Sequence, residues 1–592
     1  MPDSSPIWNL KDLYAGVDDP TLAVDIASAR DDATVLAAAW QGKLAKASGT
    51  ELAMVIAEYE RIFESLGKIQ SHAQLLFAAN TIDAAIAKHH QSVREAGAEI
   101  NAILLFVELE IAIMDDGHIA NLMKTAKCAH WQPWLRRVRA MAPHQLPADM
   151  ERMLAERAPA GRGAWVRLFD ETAAAMKFSF QGGEVTEAEI LNKLSNPDAI
   201  IRKEAGQSLS TTLKTNDRLL SLILNTIAKD KEVEDRWRGF VRPVASRNLA
   251  NDVDDEVVEA LVSAVSSRNA DLSHRYYAMK ANWMGVDQFD WWDRNAPLPC
   301  DDDRQFSWLE AEQIVLDAFT GFDSEMATTA QLFFDRNWID AAPRPGKSSG
   351  AFSHPVTPSA HPYILMNFAG KSRDVMTLAH EMGHGVHQCL AATNGYLMAD
   401  TPLTLAETAS VFAEMLTFRH LVDSAKDANS RRVLLAGKVE DMLNTVVRQI
   451  AFHNFETSFH AARADGELMP EEISDIWMDT QRAALGPAVR IGDDYRPIWG
   501  YIPHFVHTPF YVYAYAFGDC LVNALWQSFQ TANATGISDD FVKKYKNLLR
   551  AGGTDRYDAA LANFGLDARQ PTFWSLGLDM ISGMIDELEG LD

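Results

Sequence analysis

The 592-residue chain predicts a mainly α, elongated, multi-helix fold with one small β-sheet. Three observations carry that expectation. Helical periodicity with few Gly or Pro runs through most of residues 20–285 and resumes after residue 400. Residues 341–373 are the least helical part of the chain and turn β-prone. The length exceeds what one hydrophobic core serves, so at least two domains are expected.

Residues 7–14 form an apolar leader closed by Ala15-Gly16. Residues 20–115 read as bundle helices; Leu75, Leu76, Ala79 and Ile82 make one apolar stripe. Pro143 and Pro147 precede another helix near 148–157, and Pro159, Gly161 and Gly163 break the chain. Residues 177–184 alternate and then turn on Gly182-Gly183, which predicts a hairpin. Thr186-x-x-Glu189 has the form of a capping box opening the next helix. A boundary near residue 190 would divide an N-terminal helical domain, 1–190, from a larger domain, 191–592. Residues 286–306 are aromatic, acidic and Pro-bearing, and read as irregular chain. Within 341–373, Gly350-Ala351-Phe352 and the run from Tyr363 to Phe368 read as strands. Beyond residue 400, loops interrupt the helices near 466–470 and 486–508.

A formal charge of -26 argues against nucleic-acid phosphates and anionic membrane surfaces as partners. The first residues lack a basic and an apolar signal region, and the most apolar short run, at 103–107, is too short to span a bilayer. Cys128, Cys300, Cys389 and Cys520 are scattered without a Cys-x-x-Cys pair. They read as thiols of a reducing compartment, and the expected location is the cytoplasm.

The candidate chemistry centres on His380-Glu381-Met382-Gly383-His384. On a helix, two histidines four residues apart share a face and can bind one zinc ion, while Glu381 sits at the edge of that face as a general base toward water. Met376, Ala379, Met382, Gly383 and Val386 mark the helix as buried, Asp374 is its candidate cap, and Gly383 and Gly385 suggest close backbone approach. Leu390 stands where a third histidine of a His-x-x-Gly-x-x-His extension would be, so the third ligand must come from elsewhere. Glu407 is the candidate, flanked by small Ala406, Ala409 and Ala413 that permit close helix packing; it is expected to be buried. Glu414, two turns on, could orient a ligand histidine, and His387 is expected to stand beside the site without reaching the ion. Hydrolysis also needs a donor for the developing oxyanion. The best candidates are His504, His507, Tyr511 and Tyr515, with Pro509 expected at the first turn of a helix that sets Tyr511 and Tyr515 on one face.

Several stretches together resemble the oligoendopeptidase F group of the thimet-oligopeptidase-like metallopeptidases. They are the Trp8-x-Leu10-x-x-Leu13-Tyr14 leader, Arg448-Gln449 through Phe455-Glu456, the His380–His384 core, Glu407-x-Ala409-Ser410, and Pro503-His504-Phe505 through Phe510-Tyr511-x-Tyr513. The resemblance implies a helical fold split by a deep channel with one zinc ion at its floor. It implies endopeptidase cleavage of short unstructured peptides in the cytoplasm. It supports His380, His384 and Glu407 as ligands and Glu381 as base, and it assigns a histidine and tyrosines of 504–515 to the transition state, leaving His504 against His507 and Tyr511 against Tyr515 open. It further implies substrate backbone pairing along an edge strand at Gly350, Ala351, Phe352, Met366 and Asn367. An exopeptidase (carboxypeptidase or dipeptidyl enzyme) on the same scaffold and a non-catalytic zinc-binding scaffold are the competing readings. The sequence leaves the oligomeric state undetermined.

Overall fold

The computed structural model describes residues 5–158, 160–298 and 304–591. Among the described residues the fold is mainly α, with three small sheets where the sequence predicts one. The chain forms two compact units. One comprises Met1–Ala142, Asp303–Ser424 and Ser528–Leu566; the other comprises Pro143–Asp302, Ala425–Gln527 and Asp567–Asp592. Each unit is assembled from separated stretches, so neither follows a cut at residue 190. That position lies inside the helix Glu187–Lys193 of the second unit.

In the first unit, α1 (Pro20–Trp40), α2 (Gly49–Ala79) and α3 (Ala84–Leu104) pack on one another. Their core includes Leu52, Ile56, Ile62, Ile100 and Leu104, all fully buried. Ser48 opens α2 with a reciprocal capping box to Glu51. The expected stripe stops short: α2 ends at Ala79 and Ile82, beyond it, is exposed. In the second unit, a hairpin pairs β1 (Phe178–Phe180) with β2 (Gly183–Val185). Thr186 and Glu189 then form the expected capping box. The 40-residue α4 (Ala199–Arg238) follows and ends at Gly239, whose φ of +77° supplies the left-handed C-cap. A parallel pair, β3 (Phe289–Asp290) with β7 (Val489–Arg490), crosses the same unit.

The third sheet belongs to the first unit and stands beside the motif helix. Its order is β4 (Ile339–Asp340), β6 (Tyr363–Leu365), β5 (Phe352–His354). β6 is fully buried and pairs on both sides, parallel to β4 and antiparallel to β5. The motif helix α5 (Ser372–Ala391) packs against this sheet and against α6 (Leu403–Asp423). Ala379, Met382, Gly383 and Val386 are buried as expected, whereas Met376 is only half-buried and Val375 and Leu378 take the core positions instead. Asp374 caps α5 from its third position: its Oδ2 accepts the N–H groups of Ala369 and Lys371.

α5 and α6 meet backbone to backbone. A Cβ added at Gly383 would stand 2.4 Å from the Ala409 carbonyl oxygen and 2.7 Å from Ser410 Cα. One at Gly385 would stand 2.6 Å from the Phe333 ring. Cys128, Cys389 and Cys520 are free thiols, while Cys300 and Pro299 lie outside the described residues. Among the described residues, no helix is long and apolar enough to cross a membrane.

Overpacking a tight contact typically costs about 1–3 kcal/mol, so Gly383→Ala is expected to lower the urea midpoint of unfolding. Gly321→Ala, in the helix Trp308–Phe322 of the same unit, meets nothing within 4 Å. It is expected to raise the midpoint slightly, through a gain of up to about 1 kcal/mol in helix propensity. Denaturant titrations of both variants by circular dichroism check the contrast.

Candidate metal centre and tyrosine cluster

The approach of α5 and α6 brings three side chains together. His380, His384 and Glu407 offer ligand atoms that all lie within 4.8 Å of one another, the one such group among the described residues. Glu407 Oε2 is 3.5 Å from His380 Nε2 and 3.4 Å from His384 Nε2. Two imidazole nitrogens and one carboxylate oxygen form the donor set of a divalent ion that keeps a fourth position open. The supports fit that role. Glu414 Oε2 lies 3.3 Å from His380 Nδ1, which leaves Nε2 facing the cluster. Ser410 Oγ donates to Glu407 Oε2 at 2.6 Å. The sequence reading did not assign Ser410 a role; its spacing of three from Glu407 on one helix was the available signal.

Glu407 departs from expectation in exposure. Its side chain is 39% accessible; the carboxylate turns to the two histidines, while the α5–α6 seam is made by Gly383 against Ala409 and Ser410. Partial burial pushes its pKa up, but the hydrogen bond and charge of His384, the charge of His380 and the Ser410 hydroxyl outweigh this and hold it down at about 2. Glu381 is the opposite case. It is 6% exposed, and burial raises its pKa against the lowering charges of His380 and His384. Two carboxylates near the same histidine pair thus have opposite protonation tendencies. His387 stands outside the donor set: it is buried, its Nε2 lies 3.2 Å from Thr401 Oγ1, and burial pushes it down to about 4.

His384 and His387 also line a cavity of about 1040 Å³ in the first unit, together with His354, Gln388, Tyr396 and Arg94. Beside it, β5 is tied to the motif helix. Gln388 Nε2 donates to the Ser353 carbonyl at 3.2 Å, and Ser353 Oγ donates to Gln388 Oε1 at 2.9 Å. Of the strand residues expected to bind substrate, Phe352 lies on the edge strand, and Gly350 and Ala351 lead into it. Met366 and Asn367 do not lie on an edge. They follow the central β6; the Met366 N–H donates to the Asp340 carbonyl, and Asn367 Nδ2 donates to the carbonyls of Ser348 and Gly350. Asn367 therefore braces the loop that enters β5.

In the second unit, residues 504–515 separate into two groups. His504 Nε2 and the Tyr515 hydroxyl are hydrogen-bonded at 3.2 Å, and the Tyr511 and Tyr515 ring centroids are 5.3 Å apart, edge to face. His507 faces elsewhere: its Nε2 lies 2.6 Å from Asp170 Oδ1, and Arg162 donates to its carbonyl. Pro509 does not start a helix. The long helix α8 (Tyr513–Ala534) begins four residues later, and Tyr511 lies in the preceding turn because Phe510 has a φ of +62°, which no right-handed helix accepts. Tyr513 is a core residue whose hydroxyl accepts from Asn251 Nδ2 at 2.9 Å.

The family model described as Peptidase family M3 matches residues 317–580, and the one described as Oligopeptidase F matches residues 110–178. The chain belongs to peptidase family M3. As a family M3 member it is a metallopeptidase. It is 24% identical to oligopeptidase PepF of Bacillus subtilis, over all of this chain and 88% of that one. It is also 24% identical to group B oligopeptidase PepB of Streptococcus agalactiae, over 99% and 96% of the two chains. A crystal structure of a candidate peptidase from Chlamydophila abortus superposes with a TM-score of 0.86 at 20% identity, covering 99% of this chain and 98% of that one. This last likeness speaks for the fold.

Proposed function

We propose that this M3 metallopeptidase is a zinc-dependent endopeptidase of short, unstructured peptides, with one ion per chain held by His380, His384 and Glu407. The observation that carries the reading is the convergence of those three donors beside a buried Glu381. The borderline donor set suits zinc, and the relatives named as oligopeptidases indicate the substrate size. Zinc, when bound there, supplies Lewis acidity that acidifies water and polarises a peptide carbonyl.

The chain's own residues do the rest. Glu414 fixes the His380 ring through Nδ1, and Ser410 fixes the Glu407 carboxylate. Glu381, its basicity raised by burial, takes a proton from water and returns it to the leaving amine. The open edge of β5 is the proposed peptide rail at Gly350, Ala351 and Phe352, since main-chain pairing tolerates many side chains. His504, Tyr511 and Tyr515 are the proposed donors to the oxyanion; His507, engaged with Asp170, is the weaker candidate. The cytoplasm is the proposed location. The division at residue 190 remains a proposal about family organisation, in keeping with a family match that ends at residue 178.

Three outcomes test this reading. Glu407→Ala is expected to lose tight zinc binding, and Glu414→Ala to weaken it about 10- to 100-fold, measured by competition with a chromophoric chelator. Wild-type affinity in Glu407→Ala would remove that residue from the ligand set and turn attention to Asp400, which lines the cavity. Glu381→Gln is expected to keep zinc and peptide affinity while turnover falls by about 10²- to 10⁴-fold; near-normal turnover refutes its role as base. Peptides of roughly 5–20 residues bound as extended strands are expected to be cleaved at internal bonds, also when both ends are blocked. Mass spectrometry that finds only terminal cuts would favour the exopeptidase reading, and efficient digestion of a stably folded protein would contradict size selection.

A further inference from the structure

The helix α7 (Val447–Ala464) buries Phe452, Phe455 and Phe459 on one side. Glu456 shares that apolar environment and is 2% exposed. A carboxyl group there costs stability unless a partner compensates for its lost hydration. The partner is the backbone: the Phe510 N–H donates to Glu456 Oε1 at 2.7 Å. The other oxygen, Oε2, is buried without a hydrogen-bond partner among the described residues. An apolar side chain would avoid that penalty, so core packing alone does not explain an acid at this position.

What the bond holds is unusual. Phe510 sits in the left-handed region at φ +62°, a conformation that bulky residues rarely adopt. Its ring is 1% exposed and lies 4.8 Å from the His460 ring and 5.9 Å from the His453 ring. The next residue is Tyr511. Three residues past Phe510, Tyr513 is fixed by Asn251 and by the His453 ring at 5.8 Å. Tyr511 lies between these two anchored residues; its N–H donates to the Thr508 carbonyl, and the Arg247 guanidinium is 5.9 Å from its ring centre. All these residues belong to the second unit.

We infer that Glu456 is a positioning residue: it clamps Phe510 in the left-handed turn and so fixes where Tyr511 presents its hydroxyl beside Tyr515 and His504. The inference rests on the reading that this cluster serves the transition state. Burial raises the Glu456 carboxyl to about 8, against the opposing Phe510 N–H, Arg247 and Lys231. The side chain is thus mainly neutral at pH 7, and glutamine is its close mimic, with the same carbonyl acceptor. Aspartate is one methylene shorter and withdraws that acceptor from the Phe510 N–H.

The test is steady-state hydrolysis of a fluorogenic peptide by the full-length, zinc-loaded protein. Glu456→Leu and Glu456→Asp are expected to lower kcat about 10- to 100-fold, the scale on which a ~1 Å misplacement acts. KM and zinc content should stay unchanged. Glu456→Gln is expected to remain within threefold of the wild type. In a Tyr511→Phe background, Glu456→Leu should have almost no additional effect, because its action runs through that hydroxyl. If Glu456→Leu fails to fold, the Asp and Gln variants carry the same contrast. Full activity in Glu456→Asp, or an equal loss in the presence and absence of the Tyr511 hydroxyl, overturns the inference. A wild-type rate in Tyr511→Phe overturns the reading of the cluster itself, and the inference with it.

Discussion

The candidate centre depends on one contact, the backbone approach of α5 and α6 at Gly383. With no Cβ there, the carbonyl of Ala409 and the Cα of Ser410 come up against the motif helix. That contact fixes the rotational setting of α6. Glu407, Ser410 and Glu414 then follow one another along its near side, at spacings of three and four. Glu407 meets both histidines, Ser410 holds Glu407, and Glu414 reaches the far nitrogen of His380. From behind, the buried Tyr545 hydroxyl donates to the Thr408 carbonyl at 2.9 Å, so α6 is gripped on a second side.

The same geometry separates two carboxylates by chemistry. Burial raises the Glu407 carboxyl, but the His384 hydrogen bond, the neighbouring histidines and the Ser410 hydroxyl outweigh it and hold it low. Glu381 is buried more deeply, and there desolvation outweighs the same histidines. A group held ionised suits coordination of a cation, and a group with raised proton affinity suits proton transfer. Since the residue type is the same, the contrast comes from the hydrogen bonds that His384 and Ser410 give to Glu407 and not to Glu381.

Much of this was legible in the sequence, for local reasons. The His-Glu-x-x-His face, the capping box at Thr186, the hairpin near residues 177–184 and the close approach at Gly383 follow from spacing and side-chain size. Long-range constraints were not legible. Pro509 reads as a helix start, but Phe510 takes a left-handed turn because a carboxyl group more than fifty residues earlier in the chain captures its N–H. Met366 and Asn367 read as β-prone, yet strand order places β6 in the middle of its sheet, and periodicity carries no information about strand order. Glu407 reads as buried from its apolar neighbours, although its carboxylate turns to the two histidines and stays 39% accessible.

The motif helix also serves the sheet. Gln388 stands one turn beyond His384 and bonds both the carbonyl and the hydroxyl of Ser353 on β5. Ser353 in turn offers its backbone N–H toward Glu381. One helix therefore carries the histidine pair, the proposed base and the ties of the edge strand. A peptide paired with β5 by its main chain would be registered against Glu381 whatever its side chains, because the reference frame for both is α5. Tolerance of sequence and accuracy of placement then have a common origin.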